Sequence, residues 1–307
     1  MLEFKRLGLR DIEKVRPYFS YSVNRICDNT TGGAFMWRDY FSVEYAEFNE
    51  TIIFKAQVKY HDNITAFSMP LGKDVYGSIN EIVEYCRRGD LPVAFCTVTQ
   101  EDIRILSAVF PDFRLSMETD WNDYVYRAGD LVSLSGRKYS GQRNHINHFV
   151  KICPNYGFEE ISDDNLQQVK YFYAGYIGHI SLNPDTFAGE HNKTSEVFAE
   201  EHNKTLEVLD NYRAYGLVGG LLRVDGSVIA FSIGEVVNSV LFVHIEKAFP
   251  QCRGAYQVMA HEFAKHFAHP GVDFINREED VGDEGLRASK LSYHPCEIIE
   301  KYIFSVA

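Results

Sequence analysis

Along most of this chain apolar residues either alternate with polar ones or recur every three to four positions. The switches between these two periods mark its elements. The opening EFKRLGLRDIEKVRPYF reads as a short strand, a polar helix start and an amphipathic helix. TIIFKAQVKY and NITAFSMPL follow as paired strands, then a helix near Ser78–Arg88, the strand PVAFCTV and the helix EDIRILSAVF. Further on, GLVGGLLRV and SVIAFSIGEVV are joined by Asp225-Gly226, a strong hairpin signal because a tight turn needs positive φ at both central positions. The strand SVLFVHIEKAF, the helix AYQVMAHEFAKHF, the strand VDFIN and a helix within DEGLRASKLSY come next, and EIIEKYIFSV closes the second half as a strand. A hairpin followed by strand–helix–strand–helix–strand predicts an α+β fold, with mixed, mostly antiparallel sheets and flanking helices.

The opening pattern returns. GFEEISDDNLQQVKYFY aligns on it without a gap, Phe4 on Phe158, Leu7 on Ile161, Ile12 on Leu166, Val15 on Val169 and Phe19 on Tyr173, at a constant offset of 154 residues. Two copies of one domain explain the offset, and two unrelated strand–helix units that happen to align are the rival account. The expected division is 1–130 for a first domain, 131–153 for a basic connection and 154–307 for a second domain that carries the chemistry. A shorter repeat, EHNKTSEVFAE then EHNKTLEVLD over residues 190–210, has a period of three helical turns. It would lengthen a helix and keep Val197, Val208 and Leu209 on its buried side.

Composition narrows the class. The 307 residues are 45% hydrophobic and 14% aromatic, enough for two cores. No apolar run is long enough to span a membrane and no signal peptide is visible. Six scattered cysteines without a C-x-x-C pair read as reduced thiols of a cytoplasmic protein. Against 43 Asp and Glu stand 31 Lys and Arg. Yet SGRKYSGQRNHINHFVK, from Ser135 to Lys151, contains no carboxylate. In it Arg137, Lys138, Arg143 and His145 offer charge-assisted contacts to phosphate, while Asn144 and Asn147 offer amide hydrogen bonds. A basic linker paired with acidic domains is the alternative.

Several segments invite chemistry. HEFAKHFAH fails as a zinc site, because His261 and His266 are five apart and diverge on a helix; no metal is expected. Gln251-Cys252-Arg253-Gly254-Ala255-Tyr256 lies between a strand and a helix, where free N–H groups can hold an anion. Gln251 and Gly254 match the acyl-CoA motif of the GNAT acyltransferases, but Tyr256 stands where that motif has a small residue. In INREEDVGDEGLRASKLSYHP, the residues Asn276, Arg277, Glu278, Glu279 and Asp280 follow a strand directly, a usual place for catalytic side chains. Glu278, Glu279 and Asp280 are candidate bases for an acceptor amine. Arg287, Lys290 and His294 share one face of the next helix and suit phosphate or carboxylate. A solvated loop with a salt-bridged helix is the plainer reading.

LVSLSGRKYSGQRNHINHFVK and INREEDVGDEGLRASKLSYHP together resemble the C-terminal domain of bacterial phosphatidylglycerol lysyltransferases. The similarity extends over nearly the whole chain. It implies two GNAT-like domains in tandem and an aminoacyl group donated by aminoacyl-tRNA, the donor also used by the related Fem peptidoglycan enzymes. tRNA is then an expected partner of a local basic cleft, and no cofactor is required. The acceptor is a small molecule, a peptide or a lipid headgroup, with Asn276, Tyr293 and the cations stabilising the oxyanion. Arg143 and Lys290 are expected to face one positive cleft. An acetyl-CoA-dependent N-acetyltransferase, with Gln251 and Gly254 binding the cofactor, and a non-catalytic binding module are the alternatives.

Overall fold

The computed structural model describes residues 2–58, 63–182 and 195–306. Two compact units emerge. The first runs to Asp123 and resumes at Ile299, and the second is Tyr124–Ile298. In the first unit β1 (Lys5–Arg6), β2 (Glu44–Phe48), β3 (Thr51–Val58), β4 (Ile64–Phe67), β5 (Leu71–Gly72), β6 (Ala94–Val98) and β7 (Phe113–Met117) come in chain order. The next strands are β8 (Asp123–Arg127), β9 (Tyr156–Glu160), β10 (Val218–Val224), β11 (Ser227–Val237), β12 (Val240–Ala248), β13 (Phe274–Asn276), β14 (Glu297–Ile299) and β15 (Tyr302–Val306).

The two sheets correspond strand for strand. The first has the order β1-β2-β3-β4-β6-β15-β7 with β5 added on β3, and the second, reversed, is β9-β10-β11-β12-β13-β8-β14. In each, four successive antiparallel strands are followed by one parallel pair, β4–β6 or β12–β13. The strands at the aligned openings, β1 and β9, hold the same edge position. Each leads into a helix, Ile12–Phe19 or Asp163–Leu182. The α+β class and the tandem duplication expected from the sequence are both present.

The last strand of each half differs from expectation. β8 lies beside β13 in the second sheet, and β15, expected to close the second domain, lies between β6 and β7 in the first. The units therefore divide at 123/124 rather than at 130, and 131–153 is part of the second unit. Both strands are buried along most of their length, as a slot inside a sheet requires. Phe304 is fully buried among Phe95, Phe110 and Phe113, and Tyr126 is fully buried in the second core.

Local chemistry explains several elements of the two units. At the β10–β11 hairpin Asp225 and Gly226 have φ of 46° and 85°, the geometry of the tight turn the dipeptide predicts. Helix Ala255–Phe267 turns Val258, Met259, Phe263 and Ala264 into the second core, each large apolar side chain worth roughly 1.5–3 kcal/mol. Helix Val75–Gly89 is capped by the Asp74 carboxylate, which accepts from Gly77 N at 2.9 Å. Of the eleven-residue repeat, residues 190–194 and the Val197 side chain lie outside what is described. Helix Ser195–Asp210 carries the second copy and buries Val208 and Leu209. All six cysteines are free thiols, and among the described residues no helix is long and apolar enough to cross a membrane.

Candidate functional site in the second unit

A glycine and a bulge set the centre of the site. Along β11–β12, Ile233 pairs with Ile245 but Gly234 pairs with Val243, so His244 is the extra residue of a β-bulge. A Cβ at Gly234 would lie 2.0 Å from the Phe242 carbonyl oxygen, which leaves room only for glycine. The bulge re-aims His244. One ring nitrogen lies 2.6 Å from Glu278 Oε1 and the other 2.9 Å from Glu235 Oε1. His244 is 1% exposed, Glu235 9% and Glu278 21%, so Glu278 is the member of the three that solvent reaches. Burial alone would lower the imidazole pKa. The Glu278 and Glu235 carboxylates more than offset it and raise the value to about 10. His244 is therefore an imidazolium at neutral pH.

The loop after β13 is built to hold Glu278. Asn276 is fully buried and its Oδ1 accepts from Glu278 N at 2.6 Å, which fastens Glu278 in a left-handed conformation at φ 59°. Lys290, 5% exposed, donates to the carbonyls of Arg277 at 2.6 Å, Glu278 at 2.9 Å and Glu279. Three consecutive carbonyls thus converge on one ammonium, as they would on a bound cation. Beyond them Asp280 accepts from Tyr124 OH at 2.6 Å and from Arg287 at 2.7 and 2.8 Å. Its burial would raise the carboxyl pKa, but these donors hold it below its usual value. Arg277 pairs with Glu246 at 2.9 Å and lies over the Tyr293 ring at 4.8 Å. Burial pushes the Tyr293 hydroxyl up to about 12, so it is a neutral donor rather than a base. A cavity of about 10 Å³ beside Glu246 and Arg277, lined otherwise by residues such as Leu241 and Phe263, has room for about one water.

The structure brings together part of the site predicted from sequence. Asn276, Glu278, Glu279 and Asp280 share the loop, and Tyr293 packs against Arg277 beside it. The cations do not form a free stripe. Arg277, Arg287 and Lys290 are held by Glu246, Asp280 and three carbonyls. Arg143 donates to the Leu134 carbonyl and, at 2.7 Å, to that of Gly136. Lys138 pairs with Asp130 at 3.0 Å, and His294 donates to the Lys138 carbonyl at 3.0 Å. The expectation that Arg143 and Lys290 face one anion is corrected accordingly, since Lys290 turns its ammonium inward. Arg137, Asn144, His145 and Asn147 are exposed on the turn and helix Ser140–Ile152.

Gln251 is exposed, and Gly254 has a role other than phosphate approach. With φ at 92°, it sits where a Cβ would meet the His145 carbonyl oxygen at 2.6 Å and Phe149 Cβ at 3.1 Å. The glycine lets helix Ser140–Ile152 pack against the start of helix Ala255–Phe267. Tyr256, one position into that helix, lies with its hydroxyl 3.4 Å from that of Tyr176. His261, His266 and His269 each have a separate partner, in Leu131, Glu160 and Pro270. Sequence reasoning missed Glu235, His244 and Glu246. The isolated glycine in SVIAFSIGEVV was the available signal, because a glycine inside a strand pattern often marks a bulge.

Comparisons with known proteins agree with this architecture. The family model described as phosphatidylglycerol lysyltransferase, C-terminal, matches residues 20–305. A conserved protein of unknown function from Bacteroides thetaiotaomicron superposes with a TM-score of 0.89 at 29% identity, over 100% of both chains. The C-terminal domain of a putative lysylphosphatidylglycerol synthetase from Agrobacterium fabrum gives 0.68 at 15% identity, over 97% of this chain and 92% of that one. L-PGS from Bacillus licheniformis gives 0.63 at 15% identity, over 95% and 91%. At such identities the last two share the fold alone.

Proposed function

The chain belongs to the phosphatidylglycerol lysyltransferase C-terminal family, and from that membership we propose that it is an aminoacyltransferase, passing an aminoacyl group from aminoacyl-tRNA to an amine or hydroxyl acceptor. The observation that carries this reading is the Glu235–His244–Glu278 cluster at the bulge of β12. Glu278 is its partly exposed carboxylate, held in place from behind by a cationic imidazole. The acceptor nitrogen or oxygen attacks the ester carbonyl carbon of the donor. As that bond forms, the attacking atom becomes more acidic, and its proton passes to Glu278. The ester C–O bond then breaks toward the ribose oxygen, which takes the proton from Glu278.

Positioning and electrostatics carry such a reaction without a covalent enzyme intermediate, and acetyl-CoA has no part in it. The close approach of helix Ser140–Ile152 to Gly254 weighs against a pyrophosphate at that turn. The exposed Arg137, Asn144, His145 and Asn147 suit a nucleic-acid backbone, and binding through the Arg137 charge weakens with salt. The test is transfer of label from tRNA charged with a labelled amino-acid mixture. Glu278→Gln is expected to slow transfer by about 10²- to 10⁴-fold. Label passed from acetyl-CoA and none from charged tRNA would overturn the proposal.

A further inference from the structure

The charges around Glu278 bear on which acceptor the site takes. A phosphate-bearing headgroup needs free cations, and those on the loop after β13 and on the helix that follows it are already engaged. Arg277 is paired with Glu246, Arg287 is held bidentate by Asp280, and the Lys290 ammonium is turned into the loop carbonyls. Arg143 holds two carbonyls of its own segment. The group that the cluster does present to solvent is a carboxylate, Glu278, and around His244 two carboxylates face one imidazolium. Such a surface attracts a cation and repels an anion.

We infer that the acceptor is a primary amine, an ammonium in solution, and not the anionic headgroup of a phospholipid. This rests on the aminoacyltransferase reading and specifies its substrate. The ammonium docks on Glu278 and gives one proton to solvent, which frees the nitrogen lone pair. The C–N bond forms, and a second proton moves from nitrogen to Glu278. The ester C–O bond then breaks, and that proton goes to the departing ribose oxygen. The products are an amide and a tRNA with its hydroxyl restored, and the amide is the more stable acyl compound.

The experiment incubates the full chain with tRNA charged with a labelled amino-acid mixture in three arms. One contains an N-terminally blocked peptide with a single lysine, one the same peptide acetylated on that lysine, and one vesicles of phosphatidylglycerol. The inference expects label on the free-lysine peptide only, with Glu278→Gln raising KM for the peptide as well as lowering kcat at least tenfold. Label in the lipid extract, or equal label on the acetylated peptide, overturns the amine assignment and leaves aminoacyl transfer standing. Label in none of the arms overturns the aminoacyltransferase reading and the acceptor with it.

Discussion

Replacing Lys290 by Met separates a structural ammonium from a ligand-binding one. The side chain is 5% exposed, and its three donors meet the carbonyls of Arg277, Glu278 and Glu279. Hydrogen bonds to a charged group contribute about 1.5–3 kcal/mol each, but they are not additive here. The Glu278 carbonyl keeps a second donor in Tyr124 N. Contact of the ammonium with the Tyr124 ring at 5.6 Å adds roughly 0.5–1 kcal/mol. Leaving buried carbonyls without their donor costs about 1–3 kcal/mol, and a value near 3 fits a loop that loses a three-way tie but retains Asn276 and Asp280 as anchors. Both tryptophans, Trp37 and Trp121, lie in the first unit, so their fluorescence reports that unit while circular dichroism reports both. In urea, Lys290→Met should lower the dichroism midpoint by about 1–2 M at an m-value of about 2 kcal/mol/M, more than it lowers the fluorescence midpoint. A loss below about 1 kcal/mol, the behaviour of a surface cation, would refute the account of Lys290 as an internal tie.

Other consequences follow from the same geometry. The His244 pKa is raised to about 10 from an ordinary 6.5, so its stabilisation is complete below about 6.5 and is lost as pH rises through about 10. Urea midpoints should therefore be level below about pH 6.5 and fall steadily from there toward pH 10, and an imidazole resonance titrating near 6.5 would contradict this. Gly254→Ala places a side chain at φ 92° against the His145 carbonyl. It should lower Tm by several degrees, at about 1–2 kcal/mol for the backbone conformation alone, and calorimetry showing no change would remove the packing role. Millimolar acetyl-CoA should leave Tm unchanged, whereas a saturating ligand would raise it. Deleting the chain after Glu300 removes β15 from between β6 and β7, and loss of the tryptophan-monitored transition is expected.

Much of the architecture could be read from residue patterns, because those patterns act locally. Asp225-Gly226 determines its own turn, and the apolar alignment of Phe4 with Phe158 and Val15 with Val169 reflects an edge strand and a following helix repeated in each unit. The exchanged strands were not legible. DYVYR and YIFSV are both short runs rich in aromatic and β-branched residues, and the two sheets offer them corresponding slots, so the pattern cannot choose between them. The loop after β13 was identified because it follows a strand end, but the fate of its cations was not. A lysine is written identically whether it meets a phosphate or three carbonyls, and the acceptors of Lys290 are backbone atoms without a sequence signature. His244 was hidden inside an ordinary strand pattern, since a bulge is a mismatch between two strands rather than a property of either.

A ribosome delivers β8 before its neighbour β13 exists, and it delivers β15 only after the whole second unit has been made. The first unit, although nearly complete in the early half of the chain, emerges with β6 and β7 separated by an empty place. Domains usually fold in the order of their synthesis. Here the order is inverted for one step, and the earlier unit waits for a strand translated after the whole later unit. An unfilled strand position exposes unpaired N–H and C=O groups and an apolar face, the features that recruit chaperones or other chains. Translation pauses between β7 and β15 should therefore be the ones that most affect yield, and the two halves expressed separately should each be insoluble but recover one another when co-expressed.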